Sequence, residues 1–190
     1  MNKWDQRYGD ATAPGEPSYA LREFSYLLPQ TGAALDIACG LGADALLLVQ
    51  HGLNVCAWDS SVVAIEKLQQ FAHERNLNIA AQCRNVVAEP PAASQFDVIV
   101  VSHFLERALC PAIANALKPG GLLFYQTFCV DKVDTNRGPS NADFLLHRNE
   151  LLRLFATLDV VAYQEAGTLG DVTQGLRDRA LLIARKPAGT

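Results

Sequence analysis

Short, mostly apolar segments alternate with amphipathic segments through the middle of the chain, and this alternation restricts the fold more than any other feature. We predict strands at 33–38, 53–58, 78–84, 96–101 and 122–128, with helices at 43–51, 60–75 and 105–117 between them. A strand, a helix and a further parallel strand almost always connect with a right-handed crossover. The pattern therefore predicts an α/β fold, a doubly wound and mostly parallel sheet with helices on both faces.

The segments at the two ends add a cap and an edge hairpin. Helices are predicted at 4–8 and 18–28, and a polar loop at 130–146 precedes a further helix at 150–155. Two strands, at 157–165 and 180–185, follow without a helix between them. Because parallel strands need a long crossover connection, we predict a seven-stranded sheet with an antiparallel hairpin at one edge.

Composition argues against several kinds of partner. The formal net charge is −4 and the 16 lysine and arginine residues are dispersed, so we expect no nucleic acid partner. No apolar run approaches the ~20 residues that cross a bilayer and no apolar leader begins the sequence, so we expect no membrane partner and a cytoplasmic protein. The five cysteines and four histidines lack metal-ligand spacing, so we expect buried, reduced thiols and no metal.

A glycine-containing turn follows the first predicted strand, in the segment DIACGLG at 36–42. Gly40 and Gly42 lack a Cβ atom, so the backbone can turn sharply and approach a ligand at the start of the next helix. Asp59 ends the second strand 17 residues after Gly42, where nucleotide-binding sheets present a carboxylate to ribose hydroxyls. The alternatives are a tight turn without a ligand, and an Asp59 that caps the helix beginning near Ser60 or Ser61.

Two cofactors fit the glycine pattern. Gly40-x-Gly42-x-x-Ala45 satisfies a dinucleotide fingerprint, so an NAD(P)-dependent oxidoreductase is one alternative. Asp36 would place negative charge near a pyrophosphate, whereas the ammonium and sulfonium of S-adenosylmethionine favour nearby acidic residues. The charge therefore favours S-adenosylmethionine, and a protein that binds it without catalysis is the remaining alternative.

The segment ALDIACGLGADALLLVQHG resembles motif I of class I S-adenosylmethionine-dependent methyltransferases, with Ala38 in place of the first glycine of acidic-x-Gly-x-Gly-x-Gly. VCAWDSS is similar to motif II, FDVIVVSHFL to the fourth strand and LKPGGLLFYQTF to the turn and strand that follow, so the resemblance covers roughly residues 30–128. It implies a Rossmann-like fold, and Asn85 stands where the family usually has an aspartate near the adenine. The cofactor-binding residues that we predict are Asp36, Ala38, Gly40, Gly42, Asp59, Ser60, Asn85, Val86 and His103.

Further segments narrow the resemblance. WDQRY at 4–8 is similar to the start of thiopurine and tellurite-resistance-type methyltransferases, and FLLHRNELL and ALLIARKP look like the tellurite-resistance-type pattern. This implies a small-molecule acceptor with a soft thiol, selenium or tellurium nucleophile. The N-terminal segment has a second interpretation, an amphipathic helix that only packs Trp4 and Tyr8 on the domain.

His103 is our candidate general base, because ligands of open α/β sheets bind at the carboxyl ends of the strands. The alternative is a residue that only lines the cofactor pocket. Arg7 and Tyr8, with Arg137, are candidates to orient the acceptor, whereas Cys39 is expected to be a small residue of the turn rather than a nucleophile.

The whole chain, 1–190, is interpreted as a single methyltransferase domain that is a monomer or a homodimer. It would comprise an N-terminal helical cap (1–30), a cofactor-binding core (31–128), and an acceptor loop, last helix and edge strands (129–190).

Overall fold

The structure is a computed structural model that describes residues 3–189, so Met1, Asn2 and Thr190 of the predicted domain lie outside the described residues. Its seven-stranded sheet has the order β3-β2-β1-β4-β5-β7-β6. The strands are β1 (Ala33–Ile37), β2 (Asn54–Asp59), β3 (Ile79–Cys83), β4 (Phe96–Ser102), β5 (Leu117–Phe128), β6 (Asp159–Gln164) and β7 (Arg179–Arg185). The helices are α1 (Lys3–Gly9), α2 (Tyr19–Glu23), α3 (Ala43–Gln50), α4 (Val62–Glu74), α5 (Cys110–Ala116) and α6 (Glu150–Leu154).

The predicted mostly parallel sheet with an antiparallel edge hairpin is confirmed. β1 to β5 pair in parallel, and β7 pairs antiparallel with both β5 and β6. The last strand therefore lies inside the sheet and β6 forms the edge. Burial explains this order, because β7 is covered along most of its length whereas β6 exposes Val160 and Val161.

Two predicted helices are shorter than expected. The segment 105–117 forms a 3₁₀ turn at Arg107–Leu109 and then α5, because Leu117 already begins β5. The segment 18–28 forms α2 and a second 3₁₀ turn, Ser25–Leu27. The burial expected for all the cysteines is also wrong, because Cys83 is exposed.

Helices cover both faces of the sheet, as predicted. On one face, Ile113 of α5 and Leu151 of α6 pack against sheet residues such as Tyr125. On the other face, Leu48 of α3 and Leu68 of α4 pack against a second apolar set. No helix in residues 3–189 is long and apolar enough to cross a membrane.

Asp97 joins three strands at the amino end of the sheet. Its Oδ2 atom accepts hydrogen bonds from the Ala33 backbone N–H at 2.8 Å and from Lys118 Nζ at 2.7 Å. Partial burial opposes the charge, but these two donors outweigh it and lower the pKa of Asp97. Asp97 therefore stabilises the edge opposite the predicted cofactor site.

Gly42 is the point at which the chain turns from the loop after β1 into α3. Its φ is +79°, a left-handed conformation that side chains other than glycine rarely adopt. A Cβ atom there would overlap the methyl groups of Leu68 on α4. Glycine thus allows α3 and α4 to pack closely.

Gly42→Ala is expected to lower the free energy of unfolding by about 1–3 kcal/mol, because the left-handed backbone and the overlap with Leu68 both become unfavourable. Urea unfolding monitored by circular dichroism measures this. Gly15→Ala is the matched control, since no atom lies within 4 Å of its added Cβ. A Gly42→Ala protein as stable as the control would contradict the packing argument.

Candidate active site

The candidate site lies at the carboxyl ends of β1 to β4. Strand order reverses at β1, which has β2 on one side and β4 on the other. Open α/β sheets bind ligands in the crevice at such a switch point. The structure brings to this edge all the predicted cofactor-binding residues: Asp36, Ala38, Gly40, Gly42, Asp59, Ser60, Asn85, Val86 and His103.

Three residues of the glycine turn have left-handed backbone conformations, with φ of 55° at Ala38, 52° at Gly40 and 79° at Gly42. Ala38 replaces the glycine of the family pattern in the conformation that glycine favours, at a cost of about 1–2 kcal/mol. Cys39 follows, and burial together with the nearby carboxylates raises the pKa of its thiol well above the usual range. A protonated thiol agrees with the expected role of Cys39 as a small residue of the turn.

The N-terminal helix covers the glycine turn. A Cβ atom on Gly40 would lie 2.7 Å from the Tyr8 hydroxyl, so the Tyr8 ring lies directly over this residue. Lys67 Nζ donates hydrogen bonds to the carbonyl oxygens of Tyr8, Gly9 and Ala11 at 2.7, 2.7 and 2.6 Å. Burial, with the charge of Asp59, raises the pKa of Tyr8 to about 12, so its hydroxyl remains protonated at neutral pH.

Asp59 joins the glycine turn to the beginning of α4. Its Oδ2 atom accepts from the Gly40 N–H at 2.8 Å and its Oδ1 atom from the Ser61 N–H at 2.9 Å. Ser61 itself caps α4, because its Oγ atom accepts from the Ala64 N–H. Each carboxylate oxygen has a further lone pair, so ribose binding stays a prediction that this geometry permits.

Two further carboxylates are buried beneath the turn. Asp36 accepts from the Ala45 N–H at 3.0 Å and Asp44 from the Ser18 N–H at 2.6 Å, and both are almost fully buried. Burial raises the pKa of both, and the charge of Asp44 raises that of Asp36 further. Asp36 therefore lies below the loop, at the end of β1.

Asn85 has a different environment from the one predicted. Its Oδ1 atom accepts from the Val87 N–H at 3.0 Å and the Ala88 N–H at 3.4 Å. Both acceptor positions of this oxygen are in use, so a bond from the adenine amine would have to displace one of them. Val86, the next residue, is buried in the core.

His103 follows β4 and has a left-handed backbone, with φ of 56°. Its Nε2 atom lies 3.2 Å from Nη1 of Arg179, and its ring packs against Phe128 at a centroid distance of 5.3 Å. Desolvation and the charges of Arg179, Arg7 and Arg137 lower its pKa to about 4. His103 is therefore neutral at pH 7 and a weak general base.

Sequence reasoning missed Arg179, Lys67 and Gln126. Arg179 lies at the site because it pairs with Phe128 at the end of β5. This pairing depends on the antiparallel register of β7 against β5, which the sequence alone did not provide. Gln126 is fully buried and its Oε1 atom accepts from the Ala20 N–H at 3.0 Å. A polar residue within the apolar strand LLFYQTF was a signal that could have identified it.

Comparison with known proteins gives consistent results. Residues 34–121 match the family model described as a methyltransferase domain. A ubiquinone biosynthesis O-methyltransferase from Coxiella burnetii is 34% identical over 98 residues, which are 49% of this chain and 42% of that relative. The chain thus spans less than half the length of this curated relative.

Two solved structures have the same fold. TehB from Haemophilus influenzae superposes with a TM-score of 0.71 at 21% identity, over 96% of this chain and 65% of TehB. An S-adenosylmethionine-dependent methyltransferase from Methanosarcina mazei gives 0.69 at 20% identity, over 91% of this chain and 100% of that one.

The strand order, the glycine turn and the matched family model agree with the methyltransferase resemblance identified from the sequence. Residues 34–121 thus match a methyltransferase domain model, and the chain has the same fold as TehB. The residues of the site fit S-adenosylmethionine, since Asp59 beside the glycine turn offers carboxylate acceptors and Asp36 and Asp44 add acidic groups beneath it. The NAD(P) alternative receives no support from these findings.

Asp59→Ala is expected to weaken binding of S-adenosylmethionine about 10- to 100-fold, because the ribose hydroxyls lose a charged acceptor worth roughly 1.5–3 kcal/mol. Isothermal titration measures the affinity. Asp97→Asn at the opposite edge is the control and should bind normally. Unchanged affinity in a folded Asp59→Ala protein would limit Asp59 to holding Gly40 and Ser61.

Asp36→Asn is expected to gain stability over the unsubstituted protein as the pH rises from about 5 to about 8. The raised pKa of Asp36 means that its contribution to stability is lost as the pH rises through the folded pKa. Asparagine still accepts from the Ala45 N–H, so the difference grows by up to about 1.4 kcal/mol per pH unit between the unfolded and the folded pKa of Asp36 and stays constant above the folded pKa. Urea unfolding at several pH values measures it.

Asp97→Asn is expected to show the opposite change of stability with pH. Its lowered pKa stabilises the fold above the unfolded pKa, so this variant should be less stable at neutral pH and approach the unsubstituted protein in acid. For Asp36→Asn, the contradicting result is a free energy of unfolding that changes with pH in the same way as that of the unsubstituted protein. Burial of the Asp36 charge would then not destabilise the fold.

Proposed function

We propose that this chain transfers a methyl group from S-adenosylmethionine to a small-molecule acceptor with a soft sulfur, selenium or tellurium nucleophile. The observation that carries the proposal is the weakness of the base at the site, since His103 has a pKa of about 4. A neutral phenol or alcohol would need a stronger base to lose its proton, whereas soft nucleophiles need little help. The O-methyltransferase named above makes oxygen acceptors the comparison to test.

In this proposal the residues of the chain position two reactants. The bound cofactor supplies a methyl group on an electrophilic sulfonium. The glycine turn and Asp59 hold the cofactor, and Asp36 and Asp44 lie buried beneath it. Methyl displacement requires an in-line approach, so most of the rate enhancement comes from orientation and exclusion of water.

The first helix acts as the cover of this site in our proposal. Tyr8 lies over Gly40. The helix is held by the three hydrogen bonds from Lys67 described above and by one from the Ser61 hydroxyl to the Asp5 carboxylate. The ring of Trp4 stacks on Tyr8 at a centroid distance of 6.4 Å, which extends the apolar surface. The packed amphipathic helix considered from sequence is thus compatible with a cover that excludes water.

We further propose that 1–30, 31–128 and 129–190 work together as one domain, as cap, cofactor-binding core and acceptor half. The other proposals are a cytoplasmic location, a monomer or homodimer, and no nucleic acid or membrane partner. Free cysteines support a reducing compartment, since the structure pairs none of the five.

Removing residues 1–9 is expected to abolish methyl transfer while the far-ultraviolet circular dichroism of the sheet persists, because the cover over Gly40 is lost. Lys67→Met should lower transfer at least about 10-fold for the same reason.

The assay follows S-adenosylhomocysteine formation with 2-mercaptoethanol, selenite, tellurite and catechol as acceptors. Full activity in a well-folded truncated protein would exclude the cover. Turnover of catechol together with failure of every soft nucleophile would reassign the acceptor to oxygen.

A further inference from the structure

Three arginines from separate parts of the chain converge on His103, and we call them the arginine cluster. Arg7 belongs to α1, Arg137 to the loop after β5, and Arg179 begins β7. Arg179 lies 3.2 Å from His103 Nε2, and the charges of Arg7 and Arg137 also act on the same imidazole. The cluster therefore places positive charge beside His103, at the carboxyl end of β4.

The neutral imidazole orients this charge without cancelling it. With its pKa lowered to about 4, His103 can accept a hydrogen bond from the Arg179 guanidinium through Nε2. The backbone N–H of His103 donates to the Gln126 carbonyl oxygen at 2.8 Å, and Phe128 packs against the ring. His103 is thus held in place and is a positioning residue for Arg179.

One carboxylate only partly balances the cluster. Asp178 is buried, and its Oδ2 atom is 3.9 Å from Arg137, a long ion pair. Its Oδ1 atom accepts instead from the Val133 and Asp134 N–H groups at 2.7 and 3.1 Å. The pKa of Arg179 is lowered by desolvation and by neighbouring Arg137, so Asp178 does not offset the positive environment.

Arg179 also has an unsatisfied donor. Its Nε atom is inaccessible to solvent and has no hydrogen-bond partner in the part of the chain that the structure describes. A buried donor without a partner is unfavourable, and a charged donor is more so. A guanidinium presents its N–H groups in a planar fork that matches an oxyanion.

We propose that the arginine cluster binds an oxyanion group (carboxylate, sulfonate or phosphate) on the non-reacting end of the methyl acceptor. The inference rests on the proposed function and specifies its substrate class. A nucleophilic atom bonded to several guanidinium groups would have its electron pairs engaged and would attack poorly. An anion remote from the nucleophile instead anchors the acceptor and leaves the reacting atom free to approach in line.

The test compares two thiols of nearly equal size on the full chain loaded with S-adenosylhomocysteine, which has no methyl group to transfer. 3-Mercaptopropionate carries the carboxylate and 3-mercaptopropanamide is its neutral counterpart. Titration calorimetry should show at least about 10-fold tighter binding of the carboxylate, as a charge-assisted hydrogen bond provides. 2-Mercaptoethanesulfonate distinguishes a tetrahedral from a planar oxyanion.

The variants locate the effect. Arg179→Met and Arg137→Met should each weaken binding of 3-mercaptopropionate about 10-fold or more and leave the amide unchanged. Because Arg179 is half-buried and its loss can disturb β7, the exposed Arg137 provides a second variant. Arg75→Met, just after α4 at the opposite edge of the sheet, is the control and should bind both thiols normally.

The outcomes separate this inference from the proposed function. Equal binding of the two thiols, or equal loss of both in the arginine variants, overturns the inference even if the neutral thiol is methylated. Arginine-dependent binding of the carboxylate supports it even if S-adenosylmethionine gives no turnover, and that result would instead reject a thiol nucleophile. When turnover occurs, the preference for the carboxylate should appear mainly in KM, as expected for an anchoring contact.

Discussion

The geometry of the site depends on the hydrogen bonds that the Asp59 carboxylate accepts. Its two oxygens accept hydrogen bonds from backbone N–H groups in the turn after β1 and at the beginning of α4, so one side chain fixes two adjacent elements. Gly40 and Gly42 can then adopt their left-handed conformations, with Gly42 against Leu68 of α4. The first helix in turn lies on the surface that α4 and the glycine turn form together.

Acidic and basic residues lie on different sides of the crevice. Asp36, Asp44 and Asp59 lie beneath and beside the glycine turn, whereas the arginine cluster lies at the ends of β4, β5 and β7. This polarity suits a cationic methyl donor on one side and, in our inference, an anionic acceptor on the other. Such an arrangement can orient both reactants with little need for acid–base chemistry.

Local patterns were enough to predict the sheet, the glycine turn and Asp59, because the relevant residues are close in sequence to the strand ends that place them. The role of Lys67 was not predictable, because its three carbonyl partners lie more than 50 residues away on an N-terminal helix. Arg179 was missed because its position depends on the antiparallel register of β7 against β5. Asn85 was placed at the correct edge, but its side-chain oxygen serves its own turn.

The arginine cluster lies entirely outside residues 34–121, the part that matches the methyltransferase domain. Arg7, Arg137 and Arg179 come from a terminal helix, a surface loop and the start of a strand, and none of them belongs to the glycine turn. The two functions of the site are therefore encoded in separable stretches of the gene. In our proposals, mutation of these stretches changes the acceptor while the residues predicted to hold the methyl donor stay intact, which makes the scaffold a favourable starting point for divergence and for laboratory evolution.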